Sequence, residues 1–112
     1  MSGIVKMVVM LGLSTALSSA AAAGQAEARA ARAVFEANTC DSCHAVAKRS
    51  TGPALREIAA RYRGKRAEQA VADRIRAGSQ GHWGSAVHPS YEAMDARDAE
   101  LLARWILGGA PR

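Results

Sequence analysis

The chain has 112 residues, of which 49% are hydrophobic but only 4% aromatic, and its formal net charge is +5. This length allows one small domain, whose own core rarely supplies more than ~3–5 kcal/mol of stability. The basic residues are not interleaved with aromatic residues that stack on bases, which argues against a nucleic-acid partner. We therefore expect a small domain that needs more than its side chains for stability.

The first 23 residues have the features of a secretory signal peptide. A short basic start ends at Lys6, an apolar run follows at 7–17, and Ala21–Ala23 supply a cleavage site. The apolar run is shorter than the ~20 residues of a membrane span. We predict a signal peptide at 1–23 and a periplasmic domain at 24–112 without stable membrane insertion. An uncleaved anchor, with the domain in the same compartment, is the alternative.

Apolar residues at helical spacing predict an all-α domain with four helices. The helices are predicted at residues 26–38, 54–63, 66–77 and 95–107. The last one begins at Asp95, with Asp98 three residues on as in a capping box, and its predicted buried face holds Ala99, Leu102, Ala103 and Ile106. No segment alternates with the period of a strand. Residues 78–93 contain four turn-forming residues and predict an ordered loop of the kind that carries function.

The chemistry of the chain centres on Cys40-Asp41-Ser42-Cys43-His44. Two thiols three positions apart can each add to one vinyl group of a haem, and the histidine that follows is then placed to bind the iron. A haem also adds the buried apolar surface that the sequence lacks. The motif therefore predicts one haem c, attached through Cys40 and Cys43, with His44 as a metal ligand.

Three other interpretations of the cysteines are weaker. A disulfide between them would close a very small ring and constrain little of the unfolded chain. A thioredoxin-like redox pair needs a βαβ context, which this sequence lacks. A zinc site could combine the two cysteines with His82 and His88, at permitted spacings, but would leave His44 without a role.

The haem motif is accompanied by further residues that carry a family resemblance. They are Phe35, Gly52-Pro53, Arg61-Tyr62, the run from Arg74 to Gly84, and the run from Leu102 to Leu107. This set resembles the short bacterial class I cytochromes c, periplasmic carriers that feed denitrification reductases and terminal oxidases. The resemblance implies about four helices around one haem, redox partner proteins, and electron transfer without enzyme activity. We expect the protein to be a monomer. The resemblance also implies that the Pro53 carbonyl accepts from the His44 ring, and that Arg74 and Trp83 lie at a haem propionate.

The chain departs from the family pattern at the sixth iron ligand. In the family, three residues separate the Trp-Gly pair from a Met-Pro pair, whereas here the same spacing leads from Trp83-Gly84 to His88-Pro89. We predict that His88 replaces the methionine and lowers the reduction potential, because a second imidazole stabilises ferric iron. Met94 is the alternative sixth ligand, although its position before Asp95 also suits packing on the last helix. His82, most simply a surface residue, and an open distal site are the other options.

Two functions are compatible with this sequence. The first is one-electron transfer to partners with acidic docking surfaces, steered by Lys48, Arg49, Arg61, Arg63, Lys65 and Arg66. The second is a haem with an open or displaceable distal site that binds a small ligand, as in a sensor or a peroxidase-like protein. The sequence contains no carboxylate pair at suggestive spacing and no nucleophile with an adjacent base that would indicate another active site.

Overall fold

The structure of the protein is a computed structural model that describes residues 2–112, with side chains described from residue 16 onward. Helices dominate it, which confirms the predicted all-α class. The elements in chain order are α1 (Ser2–Ala37), a 3-10 turn (Cys40–Ser42), α2 (Leu55–Arg61), α3 (Glu68–Ala77), β1 (Ser79–Gln80), β2 (Val87–His88) and α4 (Ala96–Leu107).

Helix α1 begins long before residue 26, where the sequence predicted it, and continues through the predicted cleavage site at Ala23. The side chains of residues 1–15, and with them the basic start and most of the apolar run of the predicted signal peptide, lie outside the described part. No helix among the described residues is both long and apolar enough to span a membrane. The helix ends at Ala37, where Asn38 donates its side-chain amide to the Val34 carbonyl at 2.8 Å. Thr39, with φ of 56°, then turns the chain toward Cys40.

The core forms where α4 packs against the other three helices. The predicted buried face of α4 is confirmed, since Ala99, Leu102, Ala103 and Ile106 are all buried. Small side chains of α1, Ala28 and Ala31, belong to the same core cluster and allow a close approach of the two helices. Beside them the rings of Phe35 and Trp105 meet edge to face at 5.5 Å. Helix α4 begins as predicted, because the Asp95 carboxylate accepts from the Arg97 N–H at 2.7 Å.

The prediction that the chain forms no strand is wrong for two short segments. Strands β1 and β2 pair antiparallel, with Ser79 opposite His88 and Gln80 opposite Val87. Each strand has only two residues, too few to leave an alternating pattern in the sequence. Gly78 is needed at the base of this hairpin, because its φ is +79° and a Cβ there would lie 2.9 Å from the His88 carbonyl oxygen.

Candidate functional site

A deep cleft lies between the Cys40–His44 segment and the β1–β2 hairpin. It holds about 1200 Å³ of space free of protein atoms, including the open mouth. All four helices contribute apolar side chains to its lining, namely Phe35, Leu55, Ile58, Val71, Leu102 and Ile106. The polar groups at its borders come mainly from α3, the hairpin and the cysteine turn. The cleft thus offers a large apolar chamber with a few polar groups, as ligand sites do.

The two cysteines lie together at one side of the cleft. The amides of Cys43 and His44 both donate to the Cys40 carbonyl, at 3.2 and 3.0 Å, which closes a tight turn. Both cysteines are half-buried and neither is in a disulfide, so both sulfurs are available for attachment to a haem. Burial is the main cause that raises the pKa of the Cys40 thiol above its ordinary value.

The His44 ring is held by the loop that follows it. Its Nδ1 lies 2.7 Å from the Pro53 carbonyl oxygen, which can only accept, so Nδ1 carries the proton and Nε2 keeps its lone pair. Gly52 packs directly on this ring: a Cβ there would lie 2.6 Å from His44 Cε1. The Gly52 amide also donates to the Cys43 carbonyl at 2.8 Å. Loop and motif therefore fix both the tautomer and the position of the imidazole.

His88 faces His44 across the cleft from strand β2. Its Nδ1 lies 2.8 Å from the Pro89 carbonyl oxygen, so this ring also carries its proton on Nδ1 and keeps the Nε2 lone pair. Burial is the main cause that lowers the pKa of His88, which favours the neutral form of the imidazole. The two rings lie 6.2 Å apart between centroids, with their planes inclined at 40°.

This spacing fits a metal ion between the two imidazoles. A metal–imidazole nitrogen bond measures about 2.0–2.1 Å, and the ring centre lies about 1.1 Å beyond the nitrogen, which gives about 6.2–6.4 Å for two opposed rings. The observed 6.2 Å agrees with that value. With two thiols at one side and an apolar lining, the residues present fit a haem. The zinc interpretation has no such support, because no group of three His, Cys, Asp or Glu side chains within residues 16–112 is placed to hold a metal.

The other two ligand candidates, Met94 and His82, are placed differently from His88. Met94 is a core residue, 7% exposed, and does not line the cleft. His82 is exposed at the mouth of the cleft, and its carbonyl accepts a hydrogen bond from the Arg61 guanidinium. Of the candidates named from the sequence, the structure brings only His88 opposite His44.

Arg74 and Trp83 both line the cleft. Arg74 donates to the Tyr62 hydroxyl, and the Arg61 guanidinium lies 4.2 Å from the centre of the Trp83 ring. The Arg74 guanidinium and the Trp83 indole N–H are hydrogen-bond donors that suit carboxylates such as haem propionates. The sequence did not predict that Arg74 pairs with Tyr62 or that Trp83 pairs with Arg61. Arg61-Tyr62 was nevertheless one of the motifs that carry the family resemblance.

Tyr91 is a further cleft residue that sequence reasoning missed. Its ring lies 5.9 Å from the His88 ring at an angle of 55°. Burial is the first cause that raises the pKa of its hydroxyl. No motif signals this residue, because its role depends only on how the loop after His88 folds back.

The chain matches the family model for cytochrome c over residues 28–109. It belongs to the cytochrome c family. It is 41% identical to cytochrome c-552 of Nitrosomonas europaea over 93 residues, which are 82% of this chain and 88% of that protein. It is 38% identical to cytochrome c-551 of Stutzerimonas stutzeri over the same shares of the two chains.

Solved structures agree with this assignment. The crystal structure of Nitrosomonas europaea cytochrome c552 superposes with a TM-score of 0.63 at 38% identity, over 68% of this chain and 95% of that one. This cytochrome therefore has the class I fold and carries covalently attached haem c at Cys40 and Cys43. It is an electron-transfer protein and not an enzyme.

Proposed function

We propose that this cytochrome is a periplasmic monohaem carrier that holds the haem iron between His44 and His88 and transfers single electrons at a lowered potential. The observation that carries the proposal is the opposed pair of imidazoles, 6.2 Å apart between centroids. Each has its Nδ1 bonded to a proline carbonyl and an Nε2 lone pair available. The finding that Met94 lies in the core supports the same ligand set.

The haem, when bound, supplies the Fe(III)/Fe(II) couple, and the chain sets its conditions. The carbonyls of Pro53 and Pro89 fix the two tautomers and raise the donor strength of each Nε2. A second imidazole in place of a thioether stabilises the ferric ion and lowers the potential. The apolar lining excludes water, while Arg74 and Trp83 offer donors for the propionates.

The basic residues support a partner with an acidic docking surface. Residues 48–66 contain seven Lys and Arg against the single acid Glu57, whereas the rest of the chain has eight basic and nine acidic residues. All seven basic side chains are exposed. One of them, Arg49, pairs with Glu57 at 3.0 Å. Such an uneven charge speeds the encounter with an acidic surface without making the complex tight, as a monomeric carrier needs.

The features of residues 1–23 support export to the periplasm with removal of this segment. The intact mass of the protein from the periplasmic fraction tests both points. A chain that starts at Gly24 is expected, and a full-length chain in the membrane fraction would favour the uncleaved anchor.

The near-infrared charge-transfer spectrum of the ferric protein tests the ligand set. We expect a low-spin ferric haem without the band of sulfur ligation. A sulfur-ligation band would remove His88 and favour Met94.

Carbon monoxide separates the carrier from the alternative function of a small-ligand binder. Two protein ligands on the iron predict slow, incomplete binding to the reduced protein. Rapid and complete binding would indicate an open or displaceable distal site.

A further inference from the structure

Arg76 connects the loop that carries His88 to helix α3. The Arg76 carbonyl accepts from the Tyr91 amide at 2.9 Å. The guanidinium folds over the same stretch of chain: Nε donates to the Met94 carbonyl at 3.0 Å, and Nη2 lies 3.5 Å from the Glu92 carbonyl. One half-buried residue thus holds the backbone of residues 91–94, the segment directly after His88-Pro89-Ser90.

Arg61 holds the loop at His82 and Trp83, but few contacts hold the strand that carries His88. On its N-terminal side the hairpin consists of two residue pairs. At the tip, Gly81 and Gly84 have φ of +80° and +85°, and a Cβ on either would meet no described atom within 4 Å. Val87, next to the histidine, is 66% exposed. The position of the imidazole therefore depends on how firmly the loop is held at its base.

The C-terminal base connects to the imidazole through Tyr91. The Tyr91 amide is the group bonded to the Arg76 carbonyl, and the Tyr91 ring packs on the His88 ring. The Met94 amide, in turn, donates to the Tyr91 carbonyl at 2.9 Å, which closes a turn under the Arg76 guanidinium. Movement of residues 91–94 would release both the Tyr91 ring, which packs at an angle on the His88 ring, and the strand that carries His88.

We propose that Arg76 is a positioning residue for the sixth ligand: it holds His88 in place and so limits how readily an external ligand displaces it. This inference rests on the proposed function, because it requires His88 on the iron. Arg76 does not line the cleft, so it acts through residues 91–94 and not by contact with the haem. A guanidinium suits the task, since its fixed fork of donors reaches two carbonyls and a charged donor makes the stronger hydrogen bond.

The test uses the haem-loaded protein and the rate at which carbon monoxide combines with its ferrous form. Arg76→Leu removes all side-chain donors, and Arg76→Lys keeps the charge and one donor group. We expect the combination rate to rise at least tenfold in Arg76→Leu, equivalent to about 1.4 kcal/mol. The rate in Arg76→Lys should be intermediate between those of the wild type and Arg76→Leu. If Arg76→Leu does not accumulate as folded holoprotein, Arg76→Gln takes its place with the same expected direction.

Arg104→Leu is the matched control. It removes an exposed arginine whose Nε donates to the Glu27 carboxylate at 2.9 Å, between α4 and α1. This contact has no connection to the hairpin, so we expect a wild-type combination rate whatever the effect on stability. An increase equal to that of Arg76→Leu would show that general destabilisation opens the site, and would overturn the positioning role.

A double mutant tests whether Arg76 acts through His88. In His88→Ala the distal position is open and combination is fast, so adding Arg76→Leu should change the rate by less than about twofold. A further large acceleration in the double mutant would overturn the inference. The near-infrared spectrum of the wild type separates the two proposals. A sulfur-ligation band overturns the proposed ligand set, whereas bis-histidine ligation with no acceleration in Arg76→Leu overturns only the role of Arg76.

Discussion

Alanine at position 52 is expected to displace the proximal imidazole. The added Cβ would lie 2.6 Å from His44 Cε1, 3.0 Å from Nδ1 and 3.1 Å from Nε2. Carbon atoms in contact prefer about 3.5–4.0 Å, so ring and loop must separate by about 1 Å. The ring cannot move freely, because Nδ1 is bonded to the Pro53 carbonyl at 2.7 Å and the neighbouring Cys43 is attached to the haem.

Overpacking of this kind costs about 1–3 kcal/mol. For a domain of 60–100 residues, each kcal/mol lowers Tm by about 4–8 °C, so about 2 kcal/mol predicts a loss of about 8–16 °C. Thermal unfolding followed by circular dichroism measures this loss, and the ferric absorption spectrum reports any high-spin haem formed as His44 is displaced.

Gly108→Ala is the control for the Gly52 prediction. Its new Cβ would lie 3.3 Å from the nearest atom, the Arg104 carbonyl oxygen, at the end of α4 and away from the cleft. We expect less than half the loss of Tm and an unchanged spectrum. If Gly52→Ala keeps its Tm within about 2 °C and its low-spin spectrum, the close contact between loop and ring does not hold His44 in place.

Three further predictions concern the ligand, the charge and the last helix. His88→Met should raise the reduction potential by at least about 0.1 V in an equilibrium redox titration, because axial ligands command a span of about 0.8 V. An unchanged potential would mean that residue 88 does not bind the iron. Lys65→Glu should slow the oxidation of the haem by ferricyanide at low salt and weaken the dependence of this rate on salt concentration, with Glu100→Gln as the control. An equal salt dependence in the two variants would show that the basic segment does not steer docking. Asp95→Ala should lower Tm by about 4–8 °C, because it removes a helix cap worth about 1 kcal/mol. Asp98→Ala should lower Tm less, and a larger loss in Asp98→Ala than in Asp95→Ala would contradict the cap at Asp95.

Patterns within one helix or one motif were readable because they depend on neighbours in the chain. The buried face of α4 follows from apolar residues three and four positions apart, and its start follows from Asp95 with Asp98 three residues on. The cysteine motif carries its chemistry in five consecutive residues. The candidate His88 emerged from the family pattern, in which three residues separate the Trp-Gly pair, here Trp83-Gly84, from the sixth ligand. Helix α1 was placed too late, because the alanine-rich stretch before residue 26 is as good a helix former as the stretch after it.

The helical class, the haem attachment and the candidate iron ligands His44, His88, His82 and Met94 could thus be predicted from the sequence. The folded chain was needed to show that the rings of His44 and His88, 44 positions apart in the sequence, lie 6.2 Å apart between centroids, while Met94 is buried in the core. The folded chain also showed that the Tyr62 hydroxyl accepts a hydrogen bond from Arg74, and that Arg76 donates to the Met94 carbonyl in the loop after His88. Each of these contacts joins residues that are 12 or more positions apart in the chain. Local periodicity encodes which face of a helix is buried, but not which distant backbone group a side chain will reach.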